Sequence, residues 1–517
     1  MTTTESVPAR TPSTPSTPST PSTPTMAPGL EADELVTRRR LRLDRDPGRV
    51  IAKLFVLGTQ PPDMNSRTGG VVQRVLGLSD EEAEKSYAHI LEAFGSRHRD
   101  LEGTFAEHFR TIEHRVGPGT PVSELRKLLI GAHFTHEYAI EGAALTNPSM
   151  VPHPDQSGLE PGELRFLMSA RAIGEGHLSC VEFRTGVIGP SGELRVDRPS
   201  PHASIGQVRP THYERAMLQA AMAGEDDEVL AYLLRHLPER FTDAELEARL
   251  GELHPQLLVQ ENTHRTISRV RWFLACQYQL EFGAEADVSE HVLWPRSPTE
   301  RCGIEDARFV RCTEPDGSAV YRGTYTAYSG TESATQLVET TDFRTFHMAQ
   351  LFGPAVGSKG LALFPRRVGG RHLALSRWDR ESNALATSDD GRIWRRSHSL
   401  EAPLRPWELT LVGNCGSPIE TEAGWLVLTH GVGPMRTYAL GAMLLDLEDP
   451  ARVVGTLRDP LLIAAPDERD GYVPNVVYSC GGLKHGDLLV IPYGFGDMGI
   501  EFATVSVAAL VERLTSG

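Results

Sequence analysis

Gly303-Ile304-Glu305-Asp306-Ala307-Arg308 places an acidic pair and a guanidinium side by side. The stretch reads as a tight turn ahead of a strand-like run, Tyr321 to Tyr328. A carboxylate at a strand entrance is well placed for general acid or base work. The plainer reading is an acidic turn tied to Arg308 for structural reasons, and these residues alone do not separate the two. His430 poses the same question, because it ends the alternating apolar run from Gly424 and precedes Gly431, so its ring would project at a strand end. Other chemistries find little support. No Gly-rich phosphate loop, His-x-x-x-His pair or Ser-His-Asp order occurs in a suitable context. Gly413-Asn414-Cys415-Gly416-Ser417 lacks the strand-to-helix setting of a nucleophile and reads as a turn. Cys180, Cys276, Cys302, Cys312, Cys415 and Cys480 are scattered without Cys-x-x-Cys spacing, which suggests free thiols and neither a zinc site nor a disulfide framework.

The chain that must position these residues has 517 residues and a formal charge of −16, which repels polyanions and argues against nucleic-acid or anionic-membrane partners. A phosphate-sized ligand would therefore need a local basic pocket. No run approaches the ~20 apolar residues of a membrane span. Residues 11–24 repeat Thr-Pro-Ser, a composition that cannot offset chain entropy and lacks the apolar middle of a signal peptide, so residues 1–30 read as a disordered tail. The absent export signal and unpaired cysteines together predict a cytoplasmic location.

From Leu78 the pattern turns helical. Ser79-Asp80-Glu81-Glu82 has the form of a capping box and predicts a helix to about Phe94, with further helices near 100–115 and 122–138. A second helical block spans roughly 211–283, where Thr242-Asp243-Ala244-Glu245 repeats the capping box and Arg265 to Phe282 carries helical apolar spacing. The remainder reads as short strands between Gly, Asp and Pro turns: Leu164 to Met168, Tyr321 to Tyr328, His372 to Ser376, Gly424 to His430, Asp487 to Tyr493. Thr341-Asp342-Phe343-Arg344-Thr345-Phe346 and Ser388-Asp389-Asp390-Gly391-Arg392-Ile393-Trp394 look like one acidic turn used twice. Strand spacing permits a β-sandwich as readily as a propeller.

Taken in order, Gly303 to Arg308, Gly424-Trp425-Leu426-Val427-Leu428-Thr429-His430-Gly431, Leu444-Leu445-Asp446-Leu447-Glu448-Asp449-Pro450 and Tyr493-Gly494-Phe495-Gly496-Asp497 resemble glycoside hydrolase family 130, the β-mannoside phosphorylases and related hydrolases. The resemblance runs from about Ile140 to Val511, interrupted by the 211–283 helices. It implies a mainly β fold, a five-bladed β-propeller over residues 140–517, with a largely helical region appended at 31–139 and another inserted at 211–283. Asp306 falls on the aspartate of the family's Gly-x-Glu-Asp-x-Arg motif and is the implied general acid, acting through the mannose 3-hydroxyl. Ala307 stands where the family usually has proline. Asn147, within Glu141 to Ser149, matches an asparagine on the mannosyl unit. Arg171, in Ser169-Ala170-Arg171-Ala172, matches a strand-end arginine that reads sugar hydroxyls. Asp497 matches an aspartate on mannose hydroxyls, and Tyr438 a tyrosine bordering the same pocket. Arg377, in Ser376-Arg377-Trp378, would order the acceptor side, with Trp378 as a stacking face. Lys359 matches a lysine of the phosphate pocket, although Gly360 replaces the family's aspartate, and His430 is implied as a phosphate contact. Leu178 stands where many relatives carry an arginine, so His177 or Arg184 would have to supply that cation.

Cleaving a glycosidic bond needs an acid for the departing oxygen and a nucleophile on the opposite face of the anomeric carbon. If inorganic phosphate is the nucleophile, cations must hold a dianion and no second carboxylate is required. The expected activity is that of an inverting β-mannoside phosphorylase releasing α-mannose 1-phosphate. The alternatives are an inverting β-mannosidase using water and, in another class, a non-catalytic sugar-binding propeller. No cofactor or metal is implied beyond phosphate as co-substrate. The expected partners are a β-mannoside oligosaccharide and phosphate, with no nucleic acid and no membrane, and the sequence leaves homo-oligomerisation open.

Overall fold

The computed structural model describes residues 35–56, 67–117, 119–224, 227–254, 261–314, 316–357 and 359–516. The tail expected to be disordered, 1–30, lies outside them. Short β-branched and aromatic runs alternate with Gly, Asp and Pro turns, and such runs can bury their apolar faces only by pairing with neighbours. They do so as consecutive antiparallel meanders. The first contains Ala144–Pro152, Leu164–Ile173, Ser179–Ile188 and Leu194–Val196, and the second Gly303–Thr313, Ala319–Tyr328, Ser333–Thr340 and Thr345–Gln350. A third runs from Ala362–Leu363 through His372–Ser376 and Asn383–Ser388 to Arg395–Glu401. The fourth uses Leu411–Asn414, Gly424–Val432, Tyr438–Leu445 and Val453–Thr456. The last pairs Val477–Tyr478, Leu488–Phe495 and Gly499–Ser506. A parallel bridge between Ser179 and Gly303 joins the first two into one sheet. The fold is thus mainly β with helical additions.

The repeated acidic turn is real. Asp342 Oδ1 accepts the N–H groups of Arg344 and Thr345, and Asp390 Oδ1 those of Arg392 and Ile393, each between the third and fourth strands of a meander. Asp446 makes the same kind of turn in the fourth meander, accepting from Glu448 and Asp449.

Both capping boxes start helices as expected, Asp80–Phe94 after Ser79 and Asp243–Gly251 after Thr242. Helix ends differ from expectation. Residues 122–138 give helix Glu124–His133 and then strand Thr135–Ala139, which pairs with Val50–Leu54. The run Arg265 to Phe282 is helical only within Glu261–Ala275, and Tyr278–Glu281 becomes a strand on Thr345–Gln350. The region 31–139 is also not wholly outside the sheets, because Thr37–Asp44 pairs with Gly499–Ser506 and completes the last meander. Among the described residues, no helix is long and apolar enough to cross a membrane.

A buried ionic cluster fixes the segment after that N-terminal strand. Arg49 donates to Glu182 (3.0 Å) and to the carbonyls of Ser200 and Ser289 (both 2.8 Å), and pairs with Glu141 (3.0 Å). Arg184, proposed from sequence as a replacement phosphate cation, belongs here instead, between Glu141 and Glu182. Burial, then Glu182, raises the Glu141 carboxyl. Burial opposes ionisation of Glu182 as well, but Arg184 and Arg49 outweigh it and hold that carboxyl low.

Candidate functional site

The first strands of successive meanders meet around one opening and are stitched there by hydrogen bonds. Phe309 N donates to Ser149 Oγ (3.2 Å), Cys480 N to Pro148 O (2.8 Å), Asn414 Nδ2 to Gly360 O (2.8 Å) and Arg308 Nε to Cys415 O (2.7 Å). At that junction a cavity of about 220 Å³ is lined by Asn147, Arg171, Asp306, Lys359, Arg377, His430, Tyr438 and Asp497, together with Glu305, Leu411, Arg436, Val473, Val476 and Tyr478. Larger hollows lie elsewhere and are also lined by charged side chains, but this one gathers the motif residues. His177 is not among its lining residues; it sits on an exposed turn against Tyr472.

Backbone geometry aims the key side chains. Asp306 does not lie in a turn ahead of a strand, as the sequence suggested, but inside strand Gly303–Thr313, where the pairing slips between Glu305 and Arg308. Asn147 occupies the matching slip in Ala144–Pro152, between Thr146 and Ser149. A bulge re-aims a side chain that regular pleating would point elsewhere. Asn147, Asp306 and Asp497 all have left-handed backbones (φ 51°, 54° and 49°), a conformation that costs L-residues energy and clusters at functional sites. Gly413, expected in a turn, is in strand Leu411–Asn414 opposite His430. A Cβ there would come within 2.7 Å of the imidazole and 3.1 Å of Arg377 Nη1, so glycine leaves room for both.

Asn147 Nδ2 donates to Asp306 Oδ1 (2.5 Å), and Arg308 and Arg171 approach the same carboxylate at 3.8 and 4.0 Å. Burial favours the neutral acid, but Arg308, then Arg171, Lys359 and the Asn147 amide, outweigh it and hold Asp306 below the usual carboxylate range. Glu305 binds Arg171 (2.9 Å) and Lys359, so the adjacent carboxylate is occupied by cations. Burial raises Asp497; Arg171 opposes that shift and Asp306 adds to it. His430, counted from sequence among the phosphate cations, is buried, and burial with Arg377 and Arg308 keeps its ring neutral. It therefore offers hydrogen bonding and not charge. Arg377 Nη1 lies 3.2 Å from its Nε2, and Tyr438 is nearly parallel to it at 6.2 Å. Arg377 thus belongs to the His430 wall. Trp378 is not among the lining residues; it packs on the core beneath Arg396.

Sequence reasoning missed Arg436 and Tyr478. Tyr478 accepts from Arg308 Nη2 (2.8 Å) and lies edge-on to His430 at 4.8 Å, and burial pushes its phenol up. Arg436 lies two residues before Tyr438 on a turn whose build repeats that of Gly174 to Leu178, which was the available signal. The lining carries four cations, Arg171, Lys359, Arg377 and Arg436, against three carboxylates, Glu305, Asp306 and Asp497. In a chain of charge −16 that is a local inversion suited to an anion beside a proton-transferring carboxyl. Among the described residues, no cluster of His, Cys, Asp and Glu could hold a metal ion.

Comparison with known proteins agrees with the motifs. The glycoside hydrolase family 130 profile, described as beta-1,4-mannooligosaccharide phosphorylase, matches residues 283–516. A beta-1,2-mannobiose phosphorylase of Listeria innocua serovar 6a is 32% identical over 231 residues, 43% of this chain and 63% of that protein. A beta-1,2-mannobiose phosphorylase of Thermoanaerobacter sp. strain X514 is 31% identical over 220 residues, 41% of this chain and 70% of that protein. The match to the Listeria protein thus spans less than two thirds of that relative's own length. Among solved structures, the Listeria innocua enzyme in complex with beta-1,2-mannobiose aligns at 21% identity with a TM-score of 0.43, covering 74% of this chain and 94% of that one. With the motifs and the curated relatives in agreement, the chain belongs to glycoside hydrolase family 130.

Proposed function

We propose that this chain is an inverting β-mannoside phosphorylase that converts a β-mannoside and inorganic phosphate into α-mannose 1-phosphate and a shortened sugar. The observation that carries this reading is the surplus of cations around a partly buried aspartate in an otherwise acidic protein. Phosphate oxygen attacks the anomeric carbon while the glycosidic bond breaks on the opposite face. The proton of Asp306 passes through the mannose 3-hydroxyl to the leaving oxygen. Asn147, Arg171 and Asp497 hold the mannosyl unit; Lys359 and Arg377 hold phosphate, with His430 and Tyr438 as neutral contacts on that wall. Asp306 is depressed in the free protein by Arg308 first, then by Arg171 and Lys359. A bound dianion on Lys359 would offset part of that field and shift the carboxyl toward its protonated form, so phosphate binding favours the acid. No water-activating base is needed, and the neighbouring Glu305 is held by Arg171 and Lys359.

We read the five meanders as the blades of a propeller. Its support is the convergence of their first strands on the cavity, and the N-terminal strand Thr37–Asp44 would complete the last blade. The described helices between Arg67 and His133 and between Arg215 and Ala275 are then additions to that body. A cytoplasmic setting, which supplies inorganic phosphate, accords with six free cysteines, five of them buried. The test is phosphate release from α-mannose 1-phosphate with a panel of acceptors: mannose, glucose, N-acetylglucosamine and short β-mannosides, β-1,2-linked ones first because the relatives bear those names. Release with any acceptor supports the reading; silence there with phosphate-independent cleavage of β-mannosides would make the protein a hydrolase.

A further inference from the structure

The cavity of about 220 Å³ is smaller than the ~300–1,000 Å³ pockets that enclose drug-sized ligands. A mannosyl unit together with phosphate would leave little of that volume, which puts the second sugar of a disaccharide toward the mouth. Two turns of the same build border the site. Gly174 (φ −108°, ψ −157°) and Gly433 (φ −108°, ψ −162°) open them, and each closes with paired backbone bonds: Gly174 to Leu178 (3.1 Å) and Gly433 to Thr437 (2.9 Å). Both then place two residues in the left-handed region, Gly176 and His177 in one, Met435 and Arg436 in the other. Glycine carries part of that load in the first turn. In the second, two side-chain-bearing residues carry it, at a cost of about 1–2 kcal/mol each. Packing does not repay it, since Met435 is 87% exposed. Strain uncompensated by burial is what a turn shaped for a ligand shows.

That turn delivers Arg436 to the mouth. Among the described residues its guanidinium has no hydrogen bond or ion pair, whereas Arg171 and Lys359 are bound to Glu305 and Arg377 faces His430. Next to it lies the loop that supplies Val473 and Val476 to the cavity, tied to the same turn by the bond from Tyr438 N to Asn475 O (3.0 Å). Tyr472 on this loop is 47% exposed, directly precedes the lining residue Val473, and contacts the His177 ring through its hydroxyl. A half-exposed aromatic ring next in sequence to cavity-lining Val473, and a lining guanidinium whose charge is felt by Asp497 but which makes no hydrogen bond or ion pair among the described residues, offer a packing face and donors suited to an uncharged sugar ring.

Resting on the phosphorylase reading, we propose that Arg436 and Tyr472 form the subsite for the acceptor sugar, Arg436 donating to its hydroxyls and Tyr472 packing on its ring. His177 is a positioning residue for Tyr472 and takes no part in phosphate binding.

The experiment measures KM for acceptor and for α-mannose 1-phosphate separately, in wild type, R436A, R436K, Y472A and H177A, with circular dichroism to verify folding. R436A and Y472A should raise the acceptor KM by about tenfold or more while leaving that of α-mannose 1-phosphate within about twofold. R436K should recover part of the loss, and H177A should show a smaller rise in acceptor KM alone. A rise in the α-mannose 1-phosphate KM instead, or folded variants with both constants unchanged, would overturn the proposal. A wild type silent with every acceptor would sink the phosphorylase reading itself, and this subsite with it.

Discussion

Two groups of arginines and carboxylates in this protein use the same chemistry to different ends. Arg49 and Arg184 face Glu141 and Glu182 beneath the N-terminal segment, with every side chain at 5% exposure or less. Arg49 also donates to two backbone carbonyls, so the group fastens chain to chain. In the cavity, Arg171 and Lys359 share Glu305, Arg308 leans on Asp306, and Arg436 is uncommitted among the described residues. There the pairing is incomplete and reachable. Arginine and carboxylate make a binding site where their charges line an opening; where they are buried against backbone carbonyls they make a fastening.

The sharpest way to break this contrast is to remove the proposed proton donor. Asp306→Asn retains the shape and the Asn147 neighbour but cannot supply a proton, so kcat should fall by about 10²–10⁴-fold with the circular dichroism spectrum unchanged. An active, folded variant would remove Asp306 from its role. The converse test strikes the fastening: Arg49→Met leaves Glu182 short of a partner and should cost about 3–5 kcal/mol in urea unfolding, while kcat per folded molecule holds. A neutral result would mean that the buried group contributes nothing net.

Next in size, Lys359→Ala should raise the phosphate KM by about 10–100-fold, the worth of a charge-assisted bond, with little change for the mannoside. Equal losses on both substrates would move Lys359 out of the phosphate wall. The smallest effect concerns pH. Burial, then Glu182, raises Glu141 in the folded state, so the fold holds a proton there that the unfolded chain releases in the ordinary carboxylate range. That contribution is fully present below this range and drains as pH climbs toward about 9. Glu141→Gln cannot ionise, so its Tm should fall less than the wild type's between pH 6 and about 9. Parallel curves would contradict the buried proton.

Much of this was legible because it is local. A capping box needs a few adjacent residues, and both helix starts followed from Ser79 and Thr242. The acidic turns around Asp342 and Asp390 are likewise self-contained. Helix ends were misread where a distant strand competed: Thr135–Ala139 leaves the helical pattern for Val50–Leu54, and Tyr278–Glu281 for Thr345–Gln350. Thr37–Asp44 was invisible as a strand of the last meander because its partner lies at the other end of the chain. For the cavity, family motifs named residues that do converge, yet they carried neither the bulges that aim Asn147 and Asp306 nor the burial that makes His430 neutral. Arg436 escaped because a left-handed turn leaves a weak trace in sequence when neither of its left-handed residues is glycine.

The most direct test of the central claim is to incubate the full chain with a β-1,2-mannooligosaccharide, with and without inorganic phosphate, and follow the products by phosphorus and proton NMR. The account predicts cleavage that requires phosphate and yields the α anomer of mannose 1-phosphate. Free mannose released at the same rate without phosphate, or a β-configured sugar phosphate, would contradict it.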